Sequence, residues 1–258
     1  MIIVLCGVRG SGKDTIGDIL VKNHGFQKEA FANPLKEMVK HAFPAFTDED
    51  LYGPSKNREH GYPQYPLTAC PWCGGGITYD KYDNRGGKFE LMPADQILAH
   101  RRCMTEPDHD WLPEFVSPRI ALQTLGTEWG RRLYTNVWID AAFERIKQRI
   151  EASHKLAVGL KLPTNIFDAQ DFVITDGRFL NEVQRSRKLG GVVVKLTRGL
   201  EGSTDTHASE AELRTMADTE FDLVFYNANF ALEELPTRVG ILYERLKLIT
   251  EERTHESP

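Results

Sequence analysis

Directly behind the apolar run Ile2–Leu5 the chain reads Gly7-Val8-Arg9-Gly10-Ser11-Gly12-Lys13-Asp14-Thr15. A strand that feeds a glycine-rich loop and then a helix leaves few folds open, because the loop turns successive backbone N–H groups inward on something negatively charged. The glycines permit that turn, Lys13 can reach the terminal oxygens of a polyphosphate, and the helix starting near Asp14 aims the positive end of its dipole at the same charge. The pattern predicts an α/β chain that binds a nucleoside triphosphate through Gly10, Ser11, Gly12, Lys13, Asp14 and Thr15. A Ser or Thr usually follows the lysine, but here Asp14 does. The oxygen offered to Mg²⁺ is therefore either that carboxylate, acting through water, or the Thr15 hydroxyl.

The rest of the chain punctuates itself as an α/β domain should. Ile16, Ile19, Leu20 and Val21 recur at helical spacing and stop at Gly25, a glycine cap. Asn33-Pro34 then opens an amphipathic helix, Leu35 to Phe43. From Pro44 to Pro118 the apolar period fades and Pro, Gly, Tyr, Asn and Asp become frequent, which reads as an insertion. Helical patterning returns over Ile120–Leu133 and Val137–Ile150, with 151–169 as a surface connection. Phe172–Asp176 and Gly191–Leu196, separated by a helix over Leu180–Leu189, form a βαβ unit. A last strand over Leu223–Tyr226 and a helix over Pro236–Leu248 close the domain. The expected architecture is a three-layer α/β/α P-loop core with a parallel sheet from residues 1–43 and 119–250, a small insertion over 44–118, and a frayed tail over 251–258.

With 258 residues, 41% of them hydrophobic, the chain can bury one substantial core. A formal charge of −5 argues against a broad basic face, so no stable nucleic-acid partner is expected. The sequence opens straight into a core strand and has no apolar run long enough to cross a bilayer, which predicts a cytoplasmic protein without a membrane partner.

A phosphate loop alone does not separate a kinase from an ATPase or a switch. Lys36, Arg119, Arg131, Arg132, Arg178 and Arg198 fall at helix ends or in loops after strands, where cations can converge on a second anion. Phosphoryl transfer needs such cations, because its catalysis is largely positioning and charge stabilisation. Asp176 ends a buried strand, where an acid organises Mg²⁺ or its water, and Arg178 follows two residues on. Lys13, Asp176 and Arg178 are accordingly the candidate catalytic set.

Taken together, five ordered islands resemble the phage-type deoxynucleoside monophosphate kinases, relatives of the adenylate-kinase and dephospho-coenzyme-A-kinase group. They are the loop from Gly7 to Thr15 with its unusual Asp14; Phe31-Ala32-Asn33-Pro34-Leu35-Lys36; Leu122-Gln123-Thr124-Leu125-Gly126-Thr127 continuing to Trp129-Gly130-Arg131 and Trp138; Val173 to Glu182; and Thr206-His207-Ala208-Ser209-Glu210. The resemblance implies transfer of the ATP γ-phosphate to a dNMP with Mg²⁺, giving dNDP and ADP for DNA synthesis, in a virus-encoded enzyme of the host cytoplasm that forms a homodimer. It assigns Lys13 to the β- and γ-phosphates, Arg9 and the loop amides to covering the triphosphate, and Lys36, Arg131 and Arg178 to the acceptor phosphate. Gln123, Gly126, Thr127 and Trp138 shape the base and sugar pocket, and Asp176 positions metal or acceptor. Trp138 is equally at home as plain core at helical spacing.

The middle of the chain departs from that pattern. Cys70-Pro71-Trp72-Cys73-Gly74 has the shape of a zinc knuckle, and His100-x-x-Cys103 offers a second ligand pair for a structural Zn²⁺, with His109 as the substitute for His100. Two other readings stay open at this point. One is a kinase for another small phosphorylated acceptor such as dephospho-coenzyme A, and the other is a nucleotide-dependent switch or zinc-bearing nucleic-acid module. The latter is weakened by Asp80, Asp83, Glu90 and Asp95, which offset Lys81, Arg85, Lys88, Arg101 and Arg102.

Overall fold

The structure is a computed structural model, and it describes residues 1–8, 10–65, 77–79, 101–103, 115–161, 170–197, 213, 215–227 and 233–256. In chain order the elements are β1 Ile2–Cys6, α1 Lys13–His24, β2 Gln27–Glu29, α2 Asn33–Ala42, α3 Asp48–Tyr52, β3 Ile77–Tyr79 and β4 Arg101–Cys103. They continue with α4 Pro118–Gln123, α5 Val137–Gly159, β5 Phe172–Gly177, α6 Leu180–Lys188, β6 Val192–Thr197, β7 Leu223–Tyr226 and α7 Leu235–Glu256. Two compact units result, one of Met1–Pro34 with Tyr134–Pro258 and one of Leu35–Leu133.

The first unit is built on a five-stranded sheet in the order β2-β5-β1-β6-β7, and every pairing in it is parallel. Its central strands are predominantly apolar because both faces are covered, with Thr175, Asp176 and Lys195 falling toward their carboxyl ends. Residues of β1 alternate between them. Val4 and Cys6 join Phe172, Ile174 and Val193 under Ile139, Phe143 and Ile146 of α5 and Val183 of α6. On the other side Ile3 and Leu5 join Val173, Val192 and Val194 under Ile16 and Leu20 of α1 and Val239, Leu242 and Leu246 of α7. The expected α/β/α layering with a parallel sheet is thus present. Burial pushes the Cys6 thiol well above its usual range, with nearby Glu182 adding to the effect, so Cys6 is a neutral core residue.

The second unit, Leu35–Leu133, is wider than the expected insertion over 44–118, and two helices run past their expected ends. Residues 151–159, expected as a connection, continue α5, since Glu151–Ala157 contains no breaker and Ala157 is buried. The tail expected to fray from 251 is helical to Glu256. Arg253 holds it by donating to the Gly191 carbonyl at 3.1 Å and to the carboxylate of Asp222, whose other oxygen accepts from the Val193 N–H at 2.8 Å.

In the second unit, Phe43 stacks on Phe46 at 5.1 Å, and Tyr62 and Tyr65 pack against Phe46 at 4.8 and 5.6 Å. At the head of α3, Thr47 and Asp50 form a capping box: the Asp50 N–H donates to Thr47 Oγ1 at 3.2 Å, while Asp50 Oδ2 accepts from Thr47 N and Oγ1, both at 2.7 Å, and from the Tyr62 hydroxyl. Burial acts to raise the Asp50 carboxyl, but the hydrogen bonds from Tyr62 and Thr47 outweigh it and hold the group below its ordinary value. Burial and the same carboxylate push the Tyr62 hydroxyl up to about 12. A depressed folded-state value contributes stability that is present above the unfolded carboxyl value and lost as pH falls through the folded one. Asp50→Asn should therefore cost about 1–2 kcal/mol at neutral pH, with the gap to wild type closing below about pH 4. Thermal unfolding of both proteins from pH 7 to pH 3 checks it, and a gap independent of pH would refute it. β3 and β4 pair antiparallel, with Ile77 opposite Cys103.

Candidate active site

The carboxyl ends of the sheet strands in the first unit carry most of the polar residues that matter. β1 delivers the phosphate loop. Its Ser11 N–H donates to the Val8 carbonyl at 3.1 Å and Ile16 N–H to the Gly12 carbonyl at 2.9 Å, which closes the loop onto the first turn of α1. Gly12 has φ +95°, a conformation that a side chain resists. At Gly7 a Cβ would stand 2.8 Å from the Leu196 carbonyl oxygen and 2.5 Å from Ser11 Oγ, so the loop lies too close to β6 to accept one. Lys13, 7% exposed, donates to the Val8 carbonyl at 2.9 Å and to the Gly7 carbonyl, which places its ammonium within the loop. Ser11 Oγ is buried with no hydrogen-bond partner among the described residues. An orphaned hydroxyl beside a buried ammonium suits a phosphate oxygen.

Asp14 and Thr15 are both exposed. The Thr175 hydroxyl, at the end of β5, donates to Asp14 Oδ1 at 3.1 Å, and Lys28 Nζ stands 3.4 Å from the same oxygen. The loop acid and the end of β5 are thereby brought together, as an octahedral cation fed by oxygen ligands requires.

Asp176 does something the sequence reading did not foresee. Its two carboxylate oxygens accept from the backbone N–H groups of Phe31 at 2.8 Å and Ala32 at 3.1 Å. Glu29, at the end of β2 and 1% exposed, grips the same turn by accepting from Ala30 N–H at 3.1 Å and from the Asn33 amide. Asn33 N–H donates to the Ala30 carbonyl at 3.0 Å, so all four donors from 30 to 33 are engaged just where α2 begins. Next to Asp176, the N–H groups of Arg178 and Phe179 donate to Glu182 Oε2 at 2.7 and 3.1 Å, which fixes the entry to α6. Trp138, on α5, is buried at 7% exposure. Close to it, Asp140 receives both Arg185 Nε at 2.6 Å and the second Arg185 nitrogen at 2.9 Å, a bidentate pair between α5 and α6 that holds the Asp140 carboxyl below its usual range.

The remaining expected residues belong to the second unit. Lys36 places its ammonium 4.9 Å from the Tyr52 ring centre. Gln123 ends α4, and the helix then widens into a π-helical segment, Thr124–Arg131, that holds Gly126, Thr127 and Arg131. A π turn inside a helix is uncommon and recurs at functional sites. Gln123 and Thr127 are exposed, and a Cβ on Gly126 would stand 2.6 Å from Leu35 Cδ2. Arg58 was not singled out from the sequence. Its Nε is buried with no hydrogen-bond partner among the described residues, and burial, with the charge of Arg119 beside it, lowers its affinity for a proton. A lone arginine in a polar stretch gives no sequence signal for this. Arg9, Arg198, His207, Cys70, Cys73, His100 and His109 lie outside the described residues, as does the side chain of Cys103.

Comparison with known proteins matches residues 1–63 to the deoxynucleotide monophosphate kinase family model. Over nearly the whole chain, similarity extends to a putative deoxynucleotide monophosphate kinase of Acanthamoeba polyphaga mimivirus, 27% identical over 93% of this chain and 94% of that one. The chain is similar to the deoxynucleotide monophosphate kinases. Further relatives of that name come from Escherichia phage RB69, 26% identical over 92% of this chain and 97% of the other, and from Enterobacteria phage T4, 24% identical over 92% and 96%. The resemblance read from five short motifs thus extends over most of the length of these relatives. Among the described residues no helix is long and apolar enough to cross a membrane.

Proposed function

We propose that the chain transfers the γ-phosphoryl group of ATP to a deoxynucleoside monophosphate, giving ADP and a dNDP. The observation that carries this reading is a phosphate loop formed at the carboxyl edge of the sheet with the Lys13 ammonium inside it, in a chain similar over more than nine-tenths of its length to proteins named deoxynucleotide monophosphate kinase. A phosphate oxygen of the acceptor attacks Pγ in line while the bond from Pγ to the β,γ-bridging oxygen breaks, and ADP departs with those electrons. Lys13 and the loop N–H groups neutralise the β- and γ-oxygens, and Arg178 adds charge from the end of β5. Arg9 covers the triphosphate. Asp14 and Thr15 are the oxygen donors that fit Mg²⁺, with Asp14 oriented by the Thr175 hydroxyl. When bound, Mg²⁺ supplies further charge neutralisation on the phosphates. Asp176 acts by position, holding the turn into α2 that leads to Lys36. Lys36, Arg131 and Arg58 are the acceptor-phosphate cations, and Gln123, Gly126, Thr127 and Trp138 shape the base and sugar pocket. The host cytoplasm is where such a reaction supplies DNA synthesis, and the assembly is proposed to be a homodimer.

The test is a coupled ADP-release assay with ATP and Mg²⁺ against dNMPs, NMPs and dephospho-coenzyme A. Turnover confined to dNMPs supports the proposal, while turnover on dephospho-coenzyme A alone, or none on any acceptor, overturns it.

A structural zinc in the second unit is part of the same reading. Its support is the spacing Cys70-x-x-Cys73 and His100-x-x-Cys103, together with the β3–β4 register that sets Cys103 opposite Ile77, four residues beyond Cys73. Among the described residues no group of three or more His, Cys, Asp or Glu is placed to hold a metal. Purified protein is expected to carry about one zinc per chain. Cys70→Ser should lose it, and an unchanged metal content in that variant would remove zinc from the account.

A further inference from the structure

Asn227, the first residue after β7, stands outside every motif read from the sequence, yet it touches the centre of the phosphate loop. It is 8% exposed. Its backbone N–H donates to the Thr197 carbonyl at 2.7 Å, which ties it to the end of β6, and its side-chain Nδ2 donates to the Ser11 carbonyl at 3.0 Å. A Cβ on Gly12 would stand 2.5 Å from that same Nδ2. The Ser11–Gly12 peptide therefore rests on one buried amide.

A trans peptide is planar, so the Ser11 carbonyl and the Gly12 N–H belong to one rigid unit and point in opposite directions. Holding the carbonyl against Asn227 turns the Gly12 N–H to the opposite side. Gly12 lies in the left-handed region at φ +95° and, as a glycine, offers little resistance to rotation of that unit. The reversed orientation would present a carbonyl oxygen to phosphate in place of a donor.

We infer that Asn227 is a positioning residue of the triphosphate site: by fixing the Ser11–Gly12 peptide it presents the Gly12 N–H to the phosphates of the donor nucleotide before that nucleotide arrives. The inference rests on the reading of the loop as an ATP site. It explains why a buried amide from the edge strand reaches across to the loop, and why position 12 has no room for a side chain even apart from its backbone angle.

The test uses the full chain with Asn227→Asp, which keeps the shape and replaces the donor nitrogen by oxygen, and Asn227→Ala, which removes the group. ATP affinity is measured by calorimetry without acceptor, KM values for ATP and for the dNMP by the coupled assay, and unfolding without ligand. Loss of a pre-set donor predicts that the ATP dissociation constant and the ATP KM rise about tenfold in both variants, with the dNMP KM within about twofold of wild type. ATP affinity unchanged in both variants overturns the inference. So does an equal loss for ATP and dNMP together with a lower melting temperature, or failure of both variants to fold, because each assigns Asn227 to general stability. ATP binding is read without an acceptor, so a wild-type chain that binds ATP and phosphorylates no dNMP overturns the proposed acceptor alone, and the titration still decides the part played by Asn227.

Discussion

Lys13→Ala is expected to lower kcat/KM by roughly 1,000-fold with the fold intact, the effect of removing a positioned charge from a site where charge develops in the transition state. Lys13 is 7% exposed and its ammonium donates to the Val8 carbonyl at 2.9 Å, so it is held within a loop that water reaches poorly. In such surroundings the attraction between a cation and phosphate oxygens far exceeds its value in water. The equatorial oxygens of the transferring group and the bridging oxygen of ADP both gain from it as the bond to the leaving group lengthens. More of the loss should therefore fall in kcat than in the ATP KM. Stability should change little. The variant removes the buried charge along with its contacts, and of the Gly7 and Val8 carbonyls that accept from it, that of Val8 retains the Ser11 N–H. Coupled ADP release at saturating dNMP, with thermal unfolding alongside, checks both statements. A loss smaller than about tenfold would mean that the γ-phosphate is held elsewhere, whatever the loop looks like.

The loop and the sheet were open to sequence reasoning because each has a local signature. Four strands of the first unit are runs of Val, Ile, Leu and Phe, and Gly25 closes α1 in the left-handed conformation by donating its N–H to the Val21 carbonyl at 3.2 Å. The helix ends of α5 and α7 were less legible, because what extends them is tertiary: Arg253 finds its partners at Gly191 and Asp222, far back in the chain. The polar supports of the site were invisible for the same reason. No motif or spacing marks Asn227 or Glu29, and none marks the contact between Asp176 and the turn before α2. What each does is set by a partner 216 residues away for Asn227, 145 for the Asp176 contact with Phe31, and 120 for the Glu29 contact with Arg149. Spacing along a helix or strand encodes neighbours a few residues apart. It carries no information about which buried carboxylate will meet which distant N–H.

Glu29→Ala is expected to destabilise the chain by about 3 kcal/mol, because it removes a buried carboxylate and leaves its partners behind. Glu29 ends β2 beside β5 and is 1% exposed. Its Oε2 stands 3.3 Å from an Arg149 terminal nitrogen and 3.6 Å from Arg145 Nε, while Oε1 accepts from Ala30 N–H and the Asn33 amide. Taking away one member of a buried pair typically costs more than the pair itself contributes, since the opposite charge is left uncompensated. The cost sits at the low end of that range because the Arg145 and Arg149 side chains are 29% and 41% exposed and can recover some hydration. Replacement by Gln, which keeps an acceptor for Ala30 and Asn33 and loses only the charge, should fall between wild type and Ala. A Glu29→Leu and Arg149→Leu double variant should recover part of the loss, as an apolar pair replaces an ionic one. Chemical unfolding of the four proteins measures this directly, with melting expected to fall by roughly 6–12 °C in Glu29→Ala. A cost under about 1 kcal/mol would show that water screens the cluster as it does a surface pair. In that case the turn from Ala30 to Asn33, and with it the start of α2, would depend on Asp176 alone among the two carboxylates that grip it.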